Sequence, residues 1–178
     1  DTSPEVQDIV DAANAVLNAA AGATPPTQAQ LALLGITGVT ADNLAAVQHA
    51  LEASTDDGKG VDTQAELQAL ASAAAAAAAN ALAVIQAYAE DNTANAPATP
   101  SGTAPTLQTY LDTGVSGVRS SNLASLNDAL ASASVLGFSM DTTAKVQALV
   151  DAYNALLTEA NDTTPTAGDD TADATPNA

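Results

Sequence analysis

PTQAQLALLGITGVTADNLAAVQHAL, residues 26–51, returns in modified form as PTLQTYLDTGVSGVRSSNLASLNDAL, residues 105–130. The offset is 79 residues, and it holds without a gap to about residue 70. Pro26, Thr27, Gly35, Gly38, Val39, Asn43 and Leu44 recur as Pro105, Thr106, Gly114, Gly117, Val118, Asn122 and Leu123. Further on, Gly58, Asp62, Thr63 and Gln68 recur as Gly137, Asp141, Thr142 and Gln147. The retained residues suit caps, turns and core positions. Self-similarity at a fixed period marks tandem organisation, so the text reads as an old duplication.

Working outward, a third copy of one element stands at the start. VQDIVDAANAVL (6–17) matches VQALVDAYNALL (146–157), and LQALASAAAAAA (67–78) fits the same frame. In the first of these, Val6, Ile9, Val10, Ala13, Val16 and Leu17 fall on one helical stripe. Ser3 with Pro4 behind it is a helix start, and Gly22 followed by Thr24-Pro25-Pro26 is a stop. Thr27 and Gln30 have capping-box spacing ahead of Leu31 and Leu34. Thr40 is expected to cap a helix bearing Leu44, Val47 and Leu51. Asp62 is expected to cap a long helix running to about Asp91, which contains the unbroken alanines 73–79.

The predicted fold class is all-α: two tandem small helical bundles that share, or are joined by, this alanine-rich helix. Residues 1–91 form the first repeat and 106–160 the second, with helices near 106–112, 120–134 and 141–160. Between them, NTANAPATPSGTAP (92–105) is a Pro/Thr/Ala linker. The final stretch, 161–178, lacks any large apolar side chain and reads as a polar acidic tail or a further inter-repeat linker.

Hydrophobic residues reach 47%, but aromatics only 2%, and alanine supplies much of the total. The core must therefore consist of thin Leu, Val and Ile seams. The net charge of -18, with Lys59, Arg119 and Lys145 as the basic side chains, opposes binding to phosphate backbones. No nucleic-acid partner is expected. The alanine run is interrupted by Ser72, Asn80 and Gln86, so no strongly apolar span and no membrane insertion are predicted. The chain opens at Asp1 with neither an initiator Met nor a signal peptide, as a fragment or processed product does. The absence of cysteine removes disulfides, thiolate metal sites and thiol nucleophiles.

The remaining inventory offers little chemistry. His49 is the single histidine, and the second copy has Asp128 in its place, which predicts an exposed polar residue. With no second His and no Cys, neither a triad nor a zinc site can be assembled. TDDGKGVD (55–62) places Asp56, Asp57 and Asp62 around two glycines. It lacks the alternating oxygens and the closing Glu of an EF-hand. A helix stop is the simpler reading, with weak calcium binding as the alternative. GITGVT and GVSGVR lack the Lys-Ser/Thr of a phosphate loop and read as tight turns. Asn43 and Asn122 suit local hydrogen bonding at helix starts. Tyr153 lies on an apolar stripe, whereas Tyr110, Arg119 and Phe138 differ between the copies and are candidates for exposed contacts. Phe138 and Met140 replace DDGKGV-type residues, either as a specialised contact or as a staple onto the next helix. No enzyme, catalytic residue, metal ligand or cofactor is predicted.

LLGITGVTADNLAAVQHALEASTDDGKGVDTQAELQALA (33–71) resembles the helical tandem repeats of large bacterial surface and type I-secreted adhesin-like proteins. Through its GIT turn it is also similar, more distantly, to three-helix GA/FIVAR-type surface modules. The resemblance implies an extracellular or cell-surface location and a structural, spacer, matrix or filament role. Partners would then be neighbouring copies or adjacent repeats. The alternative is an adhesive module that recognises a protein or glycan of a host or neighbouring cell.

Overall fold

The computed structural model describes residues 3–54, 60–90, 102–132 and 134–161. Within them the regular structure is helical throughout. Helix α1 spans Ser3–Ala19, α2 Gln28–Leu33, α3 Leu44–Glu52 and α4 Gln64–Glu90. Helix α5 spans Leu107–Asp112 and α6 Leu123–Leu130. A 3₁₀ turn, Gly137–Met140, precedes α7, Thr143–Asn161. The all-α class is as expected.

Two clusters of side chains make the core. The first gathers Val16, Ala19, Leu31, Ile36, Val47, Leu51, Val61, Leu67 and Ala71. The second gathers Ile85, Tyr88, Ala89, Tyr110, Val115, Leu126, Leu130, Met140, Val146 and Val150. Residues 79 apart serve matching positions: Leu31 and Tyr110, Val47 and Leu126, Leu51 and Leu130, Val61 and Met140, Leu67 and Val146. Helix α4 belongs to both clusters. Its first half, with Leu67 and Ala71, packs into the first cluster, and its second half, with Ile85 and Ala89, into the second. Over 27 residues it extends for roughly 40 Å at about 1.5 Å per residue.

The alanine run lies at the junction between the clusters. Ala78 and Ala81 are buried, and α3 and α5 pack against the helix there. Side chains this small let neighbouring backbones come close. One sequence expectation needs correcting here. The expected absence of an apolar span does not hold by length and composition alone: the most apolar 18-residue window of α4 has mean hydropathy 1.6, a test that core helices of soluble proteins also pass. Summed over a window, the alanines outweigh the polar interruptions.

Several caps also differ from expectation. The side chain that caps α4 is Thr63, not Asp62. Its Oγ1 accepts from Glu66 N at 3.3 Å, while Glu66 Oε2 accepts from Thr63 N and Oγ1 at 3.2 and 2.7 Å. Thr40 does not cap α3 with its hydroxyl. Instead its N–H donates to Asn43 Oδ1 at 2.7 Å, so the asparagine organises the helix start. The Thr27–Gln30 capping box forms as read, and Thr106–Thr109 forms its counterpart. Asp56, Asp57 and Lys59, residues 92–101 of the linker, and the tail beyond Asn161 lie outside the described residues.

Candidate functional site

The most organised polar features are the two Gly-x-x-G turns and the glutamines that hold them. In the first unit, Gln68 Oε1 accepts from Thr37 N at 2.9 Å, and its Nε2 donates to Thr37 O at 3.1 Å. In the second, Gln147 does the same to Ser116, at 2.8 and 3.2 Å. A primary amide satisfies both backbone groups of one residue, as a neighbouring strand would. This clamp ties the closing helix to the turn. Below it, Ile36 and Val115 enter their cores.

Asn43 and Asn122 brace the same turns from inside. Each accepts the N–H of the residue three before it, Thr40 or Arg119, at 2.7 Å. Each donates to the second glycine's carbonyl, Gly38 or Gly117, at 3.0 Å. Asn122 also donates to Asn154 Oδ1 at 2.9 Å. Gln48 and Asn127 donate to the buried Pro26 and Pro105 carbonyls at 2.9 and 2.8 Å. Local bonding at the helix starts, the sequence reading of the asparagines, is what forms.

The units meet at Gly114. Its φ is +78°, and a Cβ there would lie 2.6 Å from Ala45 C and closer still to Ala46 N, in the α3 backbone. The second turn therefore rests directly on the first unit. Thr143 Oγ1 adds a hydrogen bond to Asp42 O at 2.7 Å across the same junction. At Gly35, the matching position, a Cβ would meet only the Gln64 side-chain amide.

Candidate contact residues divide. Tyr110, expected to be exposed, is 1% exposed. Its ring fills the place of Leu31, and its hydroxyl donates to Asn127 Oδ1 at 2.9 Å. Burial, with the nearby Tyr88 adding to it, raises the Tyr110 pKa far above the ordinary phenol value. Tyr88 is buried as well, and Tyr153 packs against the same core. Phe138 is 66% exposed, while Met140 turns inward. The staple role thus falls to Met140 alone. Arg119 and His49 are both exposed. His49 borders a groove of about 510 Å³ between α3, α4 and α5, with Asp112 and alanines of α4 as co-lining residues.

Among the described residues, no cluster of three or more His, Cys, Asp or Glu side chains gathers to hold a metal ion. Hydrogen bonding with Asp62, then with Thr63, holds the Glu66 carboxyl below its usual range. That arrangement serves the start of α4. Comparison with family models, with curated proteins and with solved structures gave no match.

Proposed function

We propose that this chain is a non-enzymatic structural segment of an extracellular bacterial surface, filament or matrix protein, in which its two units are copies of one tandem module. The supporting observation is the joint. A helix common to both cores, a glycine seated on the neighbouring unit's backbone and a cross-unit hydrogen bond leave little freedom for bending. Units that touch only their neighbours add up to a rod or superhelix. High negative charge keeps such rods soluble and apart.

Small-angle scattering or negative-stain imaging of several copies joined in series tests this. A cross-section that stays constant while length grows with copy number is expected. A compact globule would refute it.

One observation favours the adhesive alternative, the exposed Phe138 of the second unit. A partner captured by the chain and lost on Phe138→Ser would support it. Capture unaffected by that change would remove its basis.

A further inference from the structure

Helices α1, α4 and α7 share one pattern but use it differently. In α4 both halves are covered. In α7 only the first half is: Val146 and Val150 are 0% exposed, whereas Leu156 is 67% exposed. In α1 only the second half is covered, through Ala12, Val16 and Ala19. Its first half presents Val6, Ile9 and Val10 at 53%, 48% and 45% exposure. By sequence these three match Val146, Leu149 and Val150.

The polar latch is repeated too. In α7, Gln147 clamps Ser116 while its Nε2 also donates to Asp151 Oδ1 at 2.7 Å. In α4, Gln68 clamps Thr37 and donates to Ser72 Oγ at 3.1 Å. In α1, Gln7 Nε2 donates to Asp11 Oδ1 at 2.8 Å, the geometry of the Gln147–Asp151 pair, and among the described residues no turn is clamped by it. Asn14 likewise stands where α7 has Asn154, which donates to the Gly117 carbonyl at 3.1 Å.

We propose that the first half of α1 is a docking face for one more unit of the 105–142 kind, supplied by an adjoining repeat of the same polypeptide, whose Gly-x-x-G turn Gln7 clamps and whose core Val6, Ile9 and Val10 close. The occupant is specified by the chain itself. Helix α7, with nearly the same side chains, is seen seated on such a unit, and α4 on another. A second copy of the chain fits less well, because its own turns are already held by Gln68 and Gln147. The inference rests on the tandem reading and adds which surface forms the seam.

The test lengthens the full chain by a copy of residues 64–142 placed directly before Ser3, so that the added unit keeps the α4 helix that gives Ile85, Tyr88 and Ala89 to its core, and Val6 falls where Val146 does after Thr142. Val10→Cys supplies a single thiol in a chain without cysteine. Labelling should be fast in the unlengthened chain and slower by about an order of magnitude or more in the lengthened one. Gln7→Ala should lower the melting temperature only of the lengthened chain. Equal labelling in both would overturn the proposal. So would protection of the unlengthened chain that grows with its concentration, because a second copy would then be the occupant.

A misfolded extension is controlled for by writing the α1 sequence into α7 through Ala148→Asp, Leu149→Ile, Tyr153→Ala and Leu156→Val. Slow amide exchange at Val146 and Val150 should persist, and its loss also counts against the proposal. If series-joined copies still scatter as a rod while the thiol stays open, the seam is wrong and the tandem reading stands.

Discussion

Gly114 and Gly35 occupy matching turns at φ +78°, yet an alanine at each would meet different neighbours. Both substitutions carry the backbone cost of a left-handed non-glycine residue, about 1–2 kcal/mol. Gly35→Ala then needs only a shift of Gln64, while Gly114→Ala must push two units apart. In urea denaturation Gly114→Ala should therefore cost at least about 1 kcal/mol more than Gly35→Ala. Tyr110 gives a second test at this scale. Its raised pKa means that the unfolded chain ionises first as pH rises. The stability linked to it is complete below the ordinary tyrosine pKa of about 10 and is lost above it. Circular dichroism in alkali should show unfolding begin there. Tyr110→Phe should move that onset upward while costing about 1 kcal/mol at neutral pH, through the lost bond to Asn127.

At the scale of elements, α4 needs small side chains where it crosses α3. Ala78 is 3% exposed, so Ala78→Leu should destabilise by about 1–3 kcal/mol through overpacking. Ala76→Leu, at an exposed position of the same helix, should be near neutral. The start of α4 is pH-sensitive in the opposite sense to Tyr110. Glu66 has its pKa lowered, so its capping contribution is present above the unfolded carboxyl pKa and fades as pH falls through the folded one. Amide exchange at the first turn of α4 should quicken in acid before exchange at Ile85 does.

The helices themselves were legible because apolar spacing and Gly/Pro punctuation agree along the whole chain. The caps were less so. Thr63 wins over Asp62 because Glu66 completes its box, and Asn43 bonds back to Thr40, an outcome that depends on turn geometry. Tyr110 was misplaced because its difference from Leu31 was read as a surface change, although the offset of 79 sets it at that core position.

For the whole molecule, the sequence offset of 79 was the informative signal. The offset of 79 anticipated which residues share roles, including Gln68 and Gln147. It did not show that Gly114 would sit on α3, since contacts between units leave no local pattern. The surface charge of -18 acts on the chain as a unit. Raising salt from about 0.01 to 1 M, which shortens the screening length from roughly 30 to 3 Å, should increase the melting temperature.

The helix common to both cores also behaves as an indexing shaft. Removing or adding one alanine within 73–79 would leave the composition of each core unchanged, yet turn everything downstream by about 100° and shift it by about 1.5 Å. The Gly114 seat and the Thr143–Asp42 bond would then miss their targets. A change of three or four residues would bring them nearly back into phase, one helical turn along. The run that carries the least chemical information thus sets the angular phase between units, and through its length the pitch of any array built from them.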